Sequence, residues 1–127
     1  MSPTVSSDEV HPESTDEVCT FLAENAAGGR AVFPVGGRTA LHYGYAPSQP
    51  GTSLSTLNLH RTVDYPALDT TITVEAGIRI DDLTEILRAE GQRLPIDVAQ
   101  SSRATLGGVL ATNTSGPRRY GFGTLRD

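Results

Sequence analysis

Two glycine-rich tracts carry the residues whose types and spacing could do chemistry. The first tract, residues 33–44, contains the pair Gly36-Gly37, and the second tract, residues 105–116, contains Gly107-Gly108. A diphosphate needs several backbone N–H groups around its oxygens, and glycine lets the backbone approach because it has no side chain. Taken alone, the first tract is either a phosphate cradle or a tight turn. The second tract adds polar side chains at residues 112–115, so the pair indicates one extended, dinucleotide-like ligand held from two sides.

Composition and motifs exclude several other kinds of protein. The first tract lacks both the Gly-Lys-Ser/Thr ending of a P-loop and the Gly-x-Gly-x-x-Gly fingerprint. The net charge is −5 and Arg118-Arg119 is only a pair, so we expect no nucleic-acid binding. One cysteine and three histidines without ligand spacing predict no metal site. The polar N-terminus and the lack of an apolar run of about 20 residues favour a cytoplasmic protein without membrane insertion.

The elements that must position these tracts can be predicted from capping, alternation and glycine stops. Their order indicates an α+β or α/β arrangement, and the last helix would direct its N-terminus at a phosphate. The predicted order is a disordered tail over residues 1–12, a helix from the Ser14–Glu17 capping box to Gly28-Gly29, strands Ala31–Val35, Leu54–Leu59 and Thr70–Ala76, a helix over Ile80–Glu90, an extended piece at Leu94–Ile96 and a short helix over Gly107–Thr112.

Short motifs in a fixed order carry a family resemblance. The motifs are Pro-Val-Gly-Gly-Arg-Thr at 34–39, Val-Glu-Ala-Gly at 74–77, Asp82-Leu83, Leu94-Pro95, Thr-Leu-Gly-Gly at 105–108 and Tyr120-Gly121. In this order they resemble the FAD-binding domain of the vanillyl-alcohol oxidase and p-cresol methylhydroxylase (PCMH-type) flavoproteins over roughly residues 15–127. Within that family, the chain is most similar to the FAD-binding subunit of bacterial glycolate oxidase, at residues 91–95, 104–108, 116–119 and 125–127.

The resemblance implies a partial PCMH-type FAD-binding domain over residues 13–127, with the first α/β subdomain and the beginning of the second. The first tract would wrap the FAD pyrophosphate with backbone amides, and the second would line the pyrophosphate, ribose and flavin side. We therefore expect either Gly37→Val or Gly108→Val to abolish FAD binding while leaving the circular dichroism largely unchanged. The cofactor-binding residues that the resemblance implies are Val35, Gly36, Gly37, Arg38, Thr39, Ala40, Leu41, Pro95, Thr105, Gly108, Thr112, Asn113, Thr114 and Ser115.

Departures from the family pattern predict that FAD is bound non-covalently. Several members attach the flavin through a His directly after the paired glycines, where this chain has Arg38. We expect His42 to be a loop residue and Cys19, on the first helix, to be a buried structural thiol. Arg38 either faces a phosphate or is a solvated loop charge. Arg118-Arg119 either holds an anionic cofactor or a neighbouring subunit, or is a solvated turn.

The function that the resemblance implies is the FAD-binding module of a 2-hydroxy-acid (glycolate-like) oxidase or dehydrogenase. Its partners would be a second flavin subunit and an iron–sulfur subunit. The family's cap domain and catalytic side chains would lie beyond Asp127, so we expect a truncated chain with no catalytic residue of its own. Two alternatives stay open: a non-catalytic remnant, and a fragment similar to UDP-N-acetylenolpyruvoylglucosamine reductase.

Overall fold

A three-stranded parallel sheet forms the first part of the fold. The computed structural model describes residues 8–125. The strands are β1 (Glu9–Val10), β2 (Ala31–Val35) and β3 (Gly51–Ser55), in the spatial order β1-β3-β2. Because β2 lies at an edge of this sheet, Pro34 can occupy it without removing a ladder hydrogen bond from a central strand. The prediction of a tail over residues 1–12 is wrong for β1, and residues 1–7 of that prediction lie outside the described part of the chain.

Helix α1 (Thr15–Ala27) joins β1 to β2 and has the predicted ends. Ser14 accepts a hydrogen bond from the Glu17 N–H at 3.2 Å, and Gly28 caps the C-terminus. Its apolar side chains are poorly covered, and the one buried residue is Asn25, whose amide donates to the Phe21 carbonyl at 2.8 Å. Cys19 is exposed, so the prediction of a buried thiol is wrong.

The central strand β3 begins and ends earlier than the predicted strand over residues 54–59. Its register with β2 pairs Gly51 with Ala31 and Ser55 with Val35. Ser53, Leu54 and Ser55 are fully or almost fully buried because β3 has a strand on each side. Glycine and serine have low strand propensity, so pairing partners rather than local preference decide this strand.

The predicted strand over residues 70–76 is largely irregular. A 3₁₀ turn at Ala67–Asp69 precedes Thr70, which has a φ of 56°. Strand β5 (Thr73–Val74) pairs with β4 (Thr62–Asp64), an antiparallel partner that alternation in the sequence did not indicate. An ion pair of 2.8 Å between Arg61 and Glu75 holds the two strands together at one end.

Helix α2 (Ile80–Ala89) organises the apolar core. One cluster contains Ile78, Leu83 and Leu87, and a second contains Ile80, Ala104 and Val109. The helix ends as predicted, at Gly91, whose φ of 69° favours glycine. Two further helices follow, α3 (Leu106–Thr112) and the short α4 (Arg119–Phe122), while Leu94–Ile96 is not a strand. Within residues 8–125, no helix is long and apolar enough to span a membrane.

Candidate functional site

The two glycine tracts face each other across one cleft of about 210 Å³. Ligand pockets for drug-sized molecules measure about 300–1,000 Å³, so this cleft would enclose part of a dinucleotide rather than all of it. The first tract enters the cleft directly from the end of β2, and the second enters from α3. The predicted residues that line it are Val35, Gly36, Gly37, Arg38, Thr39, Ala40, Leu41, Thr105, Gly108, Thr112 and Thr114.

The two tracts are in direct contact, and this contact is possible because residues 36 and 37 are glycines. A Cβ atom on Gly36 would overlap the Thr105 hydroxyl, and one on Gly37 would overlap the carbonyl oxygen of Arg103. The space next to the two glycines is thus filled by protein atoms and not by a ligand. The glycines allow the first tract to pack directly on residues 103–105. A side chain at Gly37 would therefore meet the protein backbone before it met a ligand, which argues against the expectation that Gly37→Val changes the ligand contact alone.

The first tract presents a row of backbone donors with no partner in the protein. Within residues 8–125, no backbone N–H of residues 36–41 donates a hydrogen bond to a protein acceptor. These six residues all line the cleft. An anion with several acceptor oxygens would satisfy such a row, and a diphosphate has that chemistry. The residues present therefore fit a diphosphate-containing cofactor.

The N-terminus of α3 is not available to a phosphate, contrary to the sequence prediction. The Leu106 N–H donates to the Ile78 carbonyl at 2.9 Å, and the Gly107 N–H donates to the Ala76 carbonyl at 2.8 Å. The Gly108 N–H donates to the hydroxyl of Thr105, the N-cap residue, at 3.3 Å. The N–H groups of the first turn have no acceptor within a helix, and here those of Leu106 and Gly107 attach α3 to residues 76–78.

Arg38 has a carboxylate partner. Its guanidinium donates to Glu9 Oε2 of β1 at 2.6 Å, and its backbone has a φ of 57°. The ion pair joins the first tract to the edge strand β1. Arg38 is therefore not a free loop charge, because it pairs with Glu9. It also lines the cleft. His42 lies in a turn, with its ring against that of Tyr43 at 4.5 Å between centroids, as expected for a loop residue.

Two hydroxyl groups lie together on the α3 side of the cleft. Thr112 Oγ1 is 3.0 Å from the Gly108 carbonyl oxygen, 3.3 Å from that of Val109 and 2.8 Å from Thr114 Oγ1. The Thr114 N–H donates to the Val109 carbonyl at 3.2 Å, which holds this residue against the end of α3. Both threonines line the cleft and are half-buried.

Three predicted site residues do not line the cleft. Pro95 borders a second cavity with Ile72, Leu87 and Leu94. Asn113 is exposed and ends α3 with a φ of 51°. Ser115 is 7% exposed, and its hydroxyl accepts a hydrogen bond from the Leu125 N–H at 3.2 Å. The contact of these residues with a cofactor stays a prediction.

The two arginines after the second tract, Arg118 and Arg119, have different neighbours. Arg118 forms a bidentate ion pair with Asp97, with Nε within 2.9 Å of both carboxylate oxygens. Arg118 thereby holds the pKa of Asp97 below its ordinary value, chiefly through these side-chain hydrogen bonds. The Arg119 guanidinium lies 5.4 Å from the centre of the Tyr120 ring. Arg118 is therefore a half-exposed cation with a carboxylate partner, and its contact with a cofactor or a neighbouring subunit stays a prediction.

Several residues that the sequence did not single out complete the cleft. Val98 and Ala99 enter it from the irregular segment before the second tract, and no local motif marks them. Val109 and Ala111 lie within the second tract and could have been found from their position on α3. The added lining residues are Pro34, Tyr43, Val98, Ala99, Val109 and Ala111. No group of three or more His, Cys, Asp or Glu residues suited to a metal ion occurs in the described part of the chain.

A family model matches almost the whole described chain, and two dehydrogenases are similar to it in sequence. The model of the family described as "FAD binding domain" matches residues 9–127. D-2-hydroxyglutarate dehydrogenase of Xanthomonas citri pv. viticola is 34% identical over 116 residues, which cover 91% of this chain and 25% of that protein. D-lactate dehydrogenase (cytochrome) 1, mitochondrial, of Saccharomyces cerevisiae is 29% identical over 119 residues, covering 91% of this chain and 20% of that protein.

The likeness extends to solved structures. A structure of alkyldihydroxyacetonephosphate synthase superposes with a TM-score of 0.81 and 24% identity, over 94% of this chain and 24% of that one. At this identity the superposition shows a shared fold. The chain spans about a quarter of the length of the protein in that structure, and 20–25% of the two dehydrogenases.

Proposed function

Because this chain belongs to the FAD-binding domain family, we propose that it is the FAD-binding module of a flavin-dependent dehydrogenase that oxidises 2-hydroxy acids. The binding of FAD follows from the family. The substrate class is supported by the relatives, which are named for D-2-hydroxyglutarate and D-lactate. Glycolate as the particular substrate stays a prediction.

The observation that carries the proposal is the row of unpartnered N–H groups at residues 36–41, which line the same cleft as α3. Backbone donors directed at a diphosphate bind it without the flexibility of side chains, and hydrogen bonds to a charged group are stronger than neutral ones. The contact of Gly36 and Gly37 with residues 103–105 holds this loop against the second tract. When bound, FAD supplies the two-electron acceptor for the oxidation of the substrate.

The direct test is a titration of the purified chain with FAD, followed by flavin fluorescence. We expect FAD to bind at least tenfold more tightly than riboflavin, because hydrogen bonds to a charged group contribute about 1.5–3 kcal/mol each and riboflavin has no phosphate. ADP should compete with FAD for the same reason. Equal affinity for FAD and riboflavin would contradict the assignment of residues 36–41, and no binding of FAD would contradict the proposal as a whole.

The partners and compartment of the protein are also proposals. We propose that it associates with a second flavin subunit and an iron–sulfur subunit, which the resemblance to glycolate oxidase implies. A cytoplasmic location is supported by the single cysteine and by the absence of a spanning helix among residues 8–125, whereas some relatives are named mitochondrial.

A further inference from the structure

In the hydrogen bond between the Thr112 and Thr114 hydroxyls, counting the available protons shows which hydroxyl is the donor. A threonine hydroxyl has one proton to donate, and a carbonyl oxygen can only accept. Thr112 Oγ1 lies 3.0 Å from the Gly108 carbonyl oxygen, a distance that requires a proton between the two oxygens. The proton of Thr112 is therefore directed at α3. In the contact of 2.8 Å between the two hydroxyls, Thr114 must then be the donor.

The consequence concerns what Thr114 offers to a ligand. Its one proton is directed at Thr112, so its oxygen presents only lone pairs to the cleft that it lines. A phosphate or carbonyl oxygen at this position would meet lone pairs and be repelled. A hydroxyl or ring N–H would be accepted. The cleft thus has a donor wall at residues 36–41 and an acceptor at Thr114 on the opposite tract.

We infer that Thr114 determines the orientation of the dinucleotide by accepting a hydrogen bond from one of its sugar hydroxyls or from its ring N–H. This inference rests on the proposed function and deepens it. Of the pyrophosphate, ribose and flavin contacts that were expected of the second tract, it assigns Thr114 to a neutral donor group of the cofactor and excludes the pyrophosphate. Thr112 is the positioning residue, because its bond to Gly108 sets the direction of the Thr114 proton.

The test measures dissociation constants for FAD and for three analogues, each lacking one donor: the flavin N3–H, the adenosine 2′-hydroxyl or the ribityl 2′-hydroxyl. The proteins are the unaltered chain, Thr114→Val, Thr114→Ser and the control Thr84→Val. Thr84 donates to the Ile80 carbonyl at 2.7 Å on α2 and does not line the cleft, so it matches the chemistry at a remote place.

We expect one analogue to bind the unaltered chain roughly three- to tenfold more weakly than FAD, the size of one hydrogen bond. Thr114→Val should bind FAD and that analogue equally, whereas Thr114→Ser and Thr84→Val should keep the difference. The identity of the analogue tells a sugar hydroxyl from the ring N–H.

Two outcomes overturn the inference while FAD still binds. One is that no analogue binds the unaltered chain more weakly than FAD, a result that needs no variant and so survives a Thr114→Val protein that fails to fold. The other is that the weakened analogue loses as much affinity in Thr114→Val as in the unaltered chain. Failure of the unaltered chain to bind FAD at all would instead remove the proposed function.

Discussion

Gly36 and Gly37 are the residues at which folding and cofactor binding coincide. Their missing side chains make room for Thr105 and for the backbone of Arg103, and the same residues line the cleft with N–H groups that have no acceptor among residues 8–125. A substitution at either glycine is therefore expected to lower the stability of the fold as well as the affinity for the ligand.

At Gly37, we expect an alanine to lower the free energy of unfolding by about 1–3 kcal/mol, the range for an added group in a packed site. Its Cβ would overlap the Arg103 carbonyl oxygen. The matched control is Gly121→Ala, where a Cβ meets nothing within 4 Å. Thermal melts of the two variants without FAD should separate them. Equal melting temperatures would mean that the loops do not pack as described.

The linkage of the flavin is a second question at the residue scale. Arg38 stands at the family's covalent attachment position and pairs with Glu9, and arginine forms no flavin bond of the His type. We expect acid precipitation of the FAD-loaded chain to release all of the yellow colour into the supernatant. Colour that stays with the precipitate and survives washing would show a covalent bond.

At the element scale, an ion pair joins two segments that also pack against the apolar core through Ile96, Val98 and Leu125. Arg118 and Asp97 tie the segment before α4 to the irregular segment after α2. Gly116, with a φ of 71°, lies against Asp97, where a Cβ would come within 2.6 Å of the Asp97 Cβ. The loop that follows the second tract is therefore attached to the segment after α2 by a pair of charges and by the close approach of Gly116 to Asp97.

The pH dependence of stability should report this ion pair. Arg118 lowers the pKa of Asp97 in the folded chain, below the value of about 3.9 in an unfolded one. The stabilisation is thus present above about pH 4 and is lost as the pH falls through the lower, folded pKa. We expect Asp97→Asn to lower the melting temperature at pH 7 and to have a shrinking effect toward pH 3.

The control for this experiment is the partner residue. Arg118→Gln should lower the melting temperature by a similar amount, and the double variant should lose little more than either single one. Additive losses in the double variant would show that the two residues do not act as a pair.

For the whole molecule, the fold is the predicted PCMH-type α+β fold, and its apolar core is unevenly distributed. Both core clusters come from residues 78–109, whereas the parallel sheet contributes Val35 and Leu54 to the buried apolar residues. The first tract contacts residues 103–105, and Ala104 belongs to this core. A ligand held by both tracts would therefore stabilise the arrangement as a whole.

We expect FAD to raise the melting temperature in a concentration-dependent way. A ligand that binds only the folded state contributes about 2.7 kcal/mol at a concentration of 100 times its Kd. Melts across an FAD titration, with riboflavin as the control, would show it. A melting temperature that FAD leaves unchanged would contradict binding by both tracts.

The sequence by itself determined the features that depend on near neighbours. The capping of α1, the bounds Ala31–Val35 of β2 and the stop of α2 at Gly91 follow from local chemistry. The family and its cofactor followed from motifs whose order is visible along the chain. Eleven of the fourteen predicted cofactor residues line one cleft, because both tracts were recognisable as glycine-rich loops.

Only the tertiary structure decided which partner each of these groups meets. Residues 31 and 51 pair to set the register of β3, and the backbone of residue 37 meets that of residue 103. The carbonyl groups of residues 76 and 78 accept hydrogen bonds from the N–H groups of α3 that were expected to bind a phosphate. Each of these contacts joins residues 20 or more positions apart, and local composition does not encode such a partner. Hydrogen-bond donors are satisfied by whatever acceptor the folded chain brings within reach, so residues 36–41 keep their donors free and the first turn of α3 does not.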